Sequence, residues 1–276
     1  MLGSLGPTPK RSTAGIEMLM NGPSLVRLRR IVRSPLVWAR HRPLEPDVAV
    51  LCHYPKSGST WLRFLLAGLH VDSPDRLDFS MVRQLIPPAG VVGVPTAGPR
   101  IAHTHDAPGP SLGRRPLIYL VRDPRDVCAS YFAYAQGRGY GEGDFGLHLE
   151  RFLRGGLDNY GSWSGHVLRA KRRSLRQPVQ WVRYEDLQAN PVAGLSLLVS
   201  FLDLQVSEET VSKAIQAASR ENMRAKEATL PKKLDGASFV RDVSARGWKD
   251  LADDDDESRL LSEFGCVMEP LGYLEP

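Results

Sequence analysis

The stretch His53-Tyr-Pro-Lys-Ser-Gly-Ser-Thr-Trp-Leu-Arg-Phe-Leu-Leu66 sets a lysine, a glycine and three aliphatic hydroxyls between two apolar runs. Backbone N–H groups of a turn that enters a helix point at one spot, and the helix dipole makes that spot positive. Gly58 allows a backbone geometry, or a close approach, that a side chain resists. Lys56, Ser59 and Thr60 add one charge and two hydroxyl donors. The stretch is either an anion site or a helix N-terminus capped by its own serine and threonine. It lacks the Gly-Lys-Ser/Thr ending with which a nucleoside-triphosphate loop engages phosphate and Mg²⁺, so a P-loop kinase or NTPase is the weaker reading.

Two further groups carry chemistry. Arg122 follows the apolar run Leu117–Val121, and Ser130 lies eight residues on. Ligands of open α/β sheets bind just past the strand ends, and an arginine with a hydroxyl can hold a phosphate dianion. The alternative is an ion pair of Arg122 with Asp123 or Asp126. The segment His103-Thr-His105-Asp106 holds two histidines that share one face if the chain is extended there. A histidine suits proton removal at neutral pH. His103 reads either as a second base or as a strand-end histidine bonded to a backbone carbonyl. A two-histidine metal pair lacks an evident third ligand.

The elements that must position these groups follow from pattern. Residues 48–54, 100–105, 117–121 and 179–184 read as strands, and 60–70, 126–136, 191–203, 207–220 and 256–266 as helices. This alternation predicts a single α/β domain, a central parallel sheet flanked by helices, with a P-loop-like anion loop after the first strand. Two Gly/Pro-dense loops, 86–100 and 136–146, are either acceptor walls or plain surface. The acidic run at 253–257 reads as a solvated turn and helix N-terminus.

The chain has 276 residues and 42% hydrophobic content, enough for one full core. Its net charge of +5 is uneven. Residues 1–45 hold eight basic and two acidic side chains, so the remainder is near −1 and offers no basic surface for nucleic acid. Composition therefore divides the chain into a basic leader, 1–45, and a body, 46–276. Within the leader, 24–42 alternates arginine with apolar residues. It is either a helix packed on the outside of the domain or a peripheral membrane contact. No run of 18 apolar residues predicts a spanning helix. Three cysteines, Cys52, Cys128 and Cys266, fit reduced thiols in a cytoplasmic protein.

The motifs together resemble those of the sulfotransferases that use 3'-phosphoadenosine 5'-phosphosulfate (PAPS). That family's YPKSGTTWL is similar to Tyr54–Leu62. Its strand followed by R-[DN]-P-[RK]-D, with a later serine, is similar to Arg122–Asp126 with Ser130. Its YED is matched by Tyr184-Glu185-Asp186, and its F-x-R-K-G-x-x-G-x-W-K is partly matched by Phe239–Lys249. The matches run in order from about residue 50 to 250.

The resemblance implies sulfuryl transfer to a hydroxyl or amine of a small-molecule, glycan, lipid or peptide acceptor. Adenosine 3',5'-bisphosphate (PAP) would leave, with no metal required. It implies Lys56 at the leaving oxygen, Ser57, Gly58, Ser59 and Thr60 around the 5'-phosphosulfate, and Trp61 and Tyr184 at adenine. Arg122, Ser130 and Arg241 would hold the 3'-phosphate, and His105, matching the family's K-T-H, would be the base. Ser219 lies in the stretch that matches a T-S-F segment at adenine. The departures are Asp242 and Val243 in place of the family's lysine and glycine, Arg220 in place of phenylalanine, and no C-terminal KxxxTVxxxE dimer motif.

Overall fold

The computed structural model describes residues 35–274 apart from 92, 97, 140, 142 and 231–246. Four parallel strands form its sheet: β1 (Ala49–His53), β2 (Ile101–Thr104), β3 (Leu117–Val121) and β4 (Val179–Arg183), in the spatial order β2-β1-β3-β4. The register pairs Val50 with Ala102 on one side and with Leu117 on the other. β1, β2 and β3 are buried along their whole length. That is why they read as unbroken apolar runs without alternation.

Eleven helices follow these strands among the described residues. They are α1 (Ser59–Gly68), α2 (Phe79–Leu85), α3 (Pro124–Gly137), α4 (Phe145–Leu153), α5 (Trp163–Ser174), α6 (Tyr184–Ala189), α7 (Pro191–Phe201), α8 (Glu208–Ala217), α9 (Arg220–Ala228), α10 (Trp248–Leu251) and α11 (Asp254–Met268). Successive strand residues feed opposite cores. Val50, Cys52, Leu117, Tyr119 and Val121 pack with α3, α4, α5 and α11. Ala49, Leu51, Ile118 and Leu120 pack with α1, α7 and α8. The domain is thus a helix–sheet–helix sandwich, and the α/β expectation holds.

The strand order fixes where a ligand can enter. The chain leaves β1 through α1 on one face and leaves the adjacent β3 through α3 on the other. A crevice opens where neighbouring crossovers diverge in this way. The loop at 54–58 and Arg122 both lie at that point.

The pattern misses several elements. α2, α4, α5, α6, α9 and α10 were not expected; the helix predicted over 207–220 is α8, which ends at Ala217, and Ser219 then caps α9. His105 lies just past β2, whose last register pair is Cys52 with Thr104.

The compositional boundary at 45 does not mark the edge of the packing. Residues 35–41 are helical, and His41 is fully buried. Its Nδ1 lies 2.8 Å from Ser111 Oγ, and Arg40 donates to the buried Asp106 carboxylate at 3.2 Å. Leu44 is buried as well, and its carbonyl accepts from Arg115. Leu36 and Trp38 are exposed, and residues 24–34 of that stretch lie outside the described residues. No helix among the described residues is long and apolar enough to cross a membrane. Removing residues 1–45 strips His41 and Leu44 from the core, so the melting temperature followed by circular dichroism is expected to fall by about 5 °C or more.

Candidate active site at the β1–β3 crevice

The loop after β1 is built on two left-handed residues, Lys56 (φ 68°) and Gly58 (φ 92°). Such a conformation strains a lysine by roughly 1–3 kcal/mol, and it turns successive N–H groups to one side. Gly58 is the N-cap of α1 and offers no side-chain acceptor. The other described helices of nine residues or more are capped by Asp, Ser or Asn side chains. The self-capping alternative for Ser59 and Thr60 therefore does not hold. Ser57 is fully buried, and its Oγ has no partner. The Lys56 ammonium sits 4.1 Å from the centre of the Tyr134 ring.

Tyr184 joins this loop to the end of β3. A β-carbon added at Gly58 would lie 2.5 Å from the Tyr184 ring, so only glycine fits there. The same ring meets Trp61 edge-on at 5.8 Å and carries the Arg122 guanidinium over its face at 4.5 Å. Trp61 is held by its indole N–H, which donates to the Ala218 carbonyl at 2.9 Å. Arg122 also makes an i,i+4 ion pair with Asp126 at 3.2 Å, the structural pairing weighed above, and its Nε is buried without a partner. Ser130 is half-buried on α3, two turns beyond Arg122. The Ser219 hydroxyl caps α9, accepting from Asn222 N–H. Arg241, with Asp242 and Val243, lies outside the described residues.

Glu185 is a site residue whose role sequence reading missed, although it lies inside the YED match. It accepts from the Asp123 N–H at 2.9 Å and from the Tyr273 hydroxyl at 3.1 Å. Tyr184 and Glu185 thus lock the start of α6 to the Arg122 loop. Burial pushes the Glu185 carboxyl up, opposed by these hydrogen bonds.

Across the loop, on the β2 side, three histidine rings cluster. His105 meets His53 at 4.3 Å and His103 at 6.2 Å, both nearly perpendicular, and Tyr160 lies 5.3 Å from it. Burial is the main cause that pushes His105 down to about 4, with a hydrogen bond to the His53 backbone opposing it. Burial and then Arg63 push His103 down to about 2. Arg63 Nη1 lies 3.2 Å from His103 Nε2. A guanidinium only donates, so that nitrogen must accept, and His103 carries its proton on Nδ1. Arg63 and Tyr160 were not anticipated. Arg63 stands inside the quoted loop–helix stretch, whereas Tyr160 reaches the site from a loop with no motif of its own. Among the described residues no group of three or more His, Cys, Asp or Glu side chains is placed to hold a metal. In the acidic run, Asp253 caps α11 and Glu257 pairs with Arg125.

Comparison with known proteins bears on this geometry. A model of the sulfotransferase domain matches residues 94–264. Dog sulfotransferase 1B1 is 29% identical over 233 residues, covering 74% of this chain and 78% of that protein. Mouse sulfotransferase 1B1 is 30% identical, covering 68% and 70%. Among solved structures, retinol dehydratase with retinol and PAP superposes with a TM-score of 0.71 at 18% identity, covering 96% and 97%. Mouse sulfotransferase SULT7A1 with PAP gives 0.62 at 20% identity, covering 82% and 85%. The described sheet, the loop that follows its first strand and a family match spanning well over half the residues lead to one conclusion: this chain belongs to the PAPS-dependent sulfotransferases.

Proposed function

We propose that the chain moves the sulfuryl group of PAPS to a hydroxyl or amine of a small acceptor by in-line displacement, with His105 as base and Lys56 at the leaving oxygen. The observation that carries this reading is the uncapped N-terminus of α1, with Lys56 and Gly58 in left-handed geometry and Ser57 Oγ buried without a partner. The Ser57 hydroxyl is an unpartnered donor at a positive helix end, and the 5' side of PAPS is an anion. The orphaned Arg122 Nε, across Tyr184 from that loop, suits the 3'-phosphate, with Ser130 offered from α3 two turns further on. Arg241 remains an expectation of the resemblance. The acceptor is proposed to be a small molecule because structural relatives hold retinol or androsterone.

PAPS supplies an activated sulfur with an adenosine bisphosphate as leaving group. The chain's own residues do the rest. The loop N–H groups and Lys56 neutralise charge as it develops on the leaving oxygen. Lys56 stands beside Tyr134, and its charge acts on His105 as well. His105 is neutral at physiological pH and can take the acceptor proton as the oxygen attacks. His103 is the poorer candidate, because Arg63 occupies its free lone pair. Tyr160, 5.3 Å from the His105 ring, is proposed as an acceptor wall in addition to the 86–100 and 136–146 loops.

Three outcomes test this. Lys56→Ala and His105→Ala are each expected to lower kcat by about 10²–10⁴-fold. His105→Ala should still give a PAP-induced thermal shift in EDTA, and its full activity would reject the base assignment. Gly58→Ala should weaken PAP binding about tenfold or more by calorimetry, because the new methyl displaces Tyr184. A base works only while unprotonated, so activity is lost as pH falls through its folded pKa. With His105 held at about 4, kcat/KM should be level from about pH 7.5 down to about pH 5.5. An acid limb centred near 6.5 would show that burial does not set this residue.

A further inference from the structure

His105 is the first residue beyond the β2 ladder, so the sheet does not orient it. Its carbonyl is instead held by a side chain from far along the chain. His166, on α5, places Nε2 3.1 Å from the His105 carbonyl oxygen and Nδ1 2.7 Å from the Tyr119 hydroxyl. His166 is buried, as is Tyr119 on the central strand β3. The chemistry of the two ends fixes the ring. A carbonyl can only accept, so Nε2 carries the proton and donates to His105. A neutral ring then has its lone pair on Nδ1, where the Tyr119 O–H donates. The packing around it is close: the Tyr54 ring meets His166 edge-on at 5.6 Å, and Tyr54 itself donates to the Gly161 carbonyl at 3.0 Å. The next peptide is anchored as well. The Asp106 carbonyl accepts from Cys52 Sγ at 3.2 Å, and the Asp106 carboxylate accepts from Arg40 and Thr104.

We infer that His166 is a positioning residue for the base, and that its Nε2–H, oriented by Tyr119, holds the His105 peptide so that the imidazole faces the sulfur-bearing crevice. The inference rests on the reading of His105 as base. An imidazole suits the post because it donates at one end and accepts at the other across a span that neither a hydroxyl nor an ammonium bridges. A base displaced by about 1 Å can lose on the order of 10²-fold in rate. Substrate binding, which lies on the Lys56 and Arg122 side, should be little affected.

The test compares His166→Leu, which keeps bulk but cannot donate, with His166→Gln, which can place an N–H near the same carbonyl. The expected result is a fall in kcat of about 10²-fold for Leu. The KM for PAPS and the PAP-induced thermal shift should be unchanged, and Gln should recover activity to within about tenfold of the wild type. Equal losses in both variants with PAP binding intact, or a Leu variant as fast as the wild type, would overturn the inference. Should the Leu variant not fold, long-range ¹H–¹⁵N spectra of the wild-type protein decide: the Nε2–H tautomer is expected, and an Nδ1–H tautomer overturns it. His105→Ala measured alongside separates the two failures. If it is fully active, the base reading has failed. If it is inactive while His166→Leu is fast, the positioning role has failed.

Discussion

The ring of Tyr184 lies so close to Gly58 that any β-carbon would overlap it, and the rest of the site is arranged about that contact. Tyr184 opens α6 directly after β4, Gly58 opens α1 after β1, and Arg122 follows β3. One aromatic ring therefore ties together the ends of three parallel strands. The glycine lets the ring descend onto the loop, the ring's face carries the Arg122 guanidinium, and its edge meets Trp61. Glu185 continues the tie by accepting the N–H of Asp123. The two ends of an adenosine bisphosphate would be gripped by loops whose separation this contact sets.

Burial gives the opposite side of the site its character. All seven histidines of the chain are pushed below their ordinary value, with desolvation the largest cause in each. Removing water disfavours the imidazolium, and nearby Arg63 and Lys56 act in the same direction on His105. A neutral histidine beside cations is a ready proton acceptor, whereas the same residue on the surface would be partly protonated. The cation that most affects His103, Arg63, also fixes which of its nitrogens is free. The cluster therefore gives two histidines only two positions apart unequal surroundings.

Much of this was legible because it is local. The loop–helix stretch at 53–66, the strand before Arg122 and the order of strands and helices rest on turn chemistry and short-range patterning. The acidic run at 253–257 was read as a helix start, and Asp253 caps α11. Other features were hidden. The helices at Phe145–Leu153 and Trp163–Ser174 bury their stripes against the sheet and against Phe264, so their strength as elements comes from a partner absent from any local window. The leader's end was assigned by composition, but His41 and Leu44 are buried because Ser111, Thr104 and Arg115 meet them from the body.

What the sequence determined by itself is the sandwich class and the turn chemistry of the two loops, one with a lysine and one with an arginine, that each follow an apolar strand. Each element is read from patterns within about a dozen positions, and only the general rule that ligand loops gather at a switch in strand order joins them. What only the tertiary structure decided is which side chains touch: Tyr184 on Gly58, Arg63 on His103, Tyr160 on His105 and His166 on the His105 carbonyl. These pairs lie 40 to 126 positions apart along the chain. A proton's place on a ring, or a residue's distance from water, depends on such neighbours, and pattern along the chain carries no record of them.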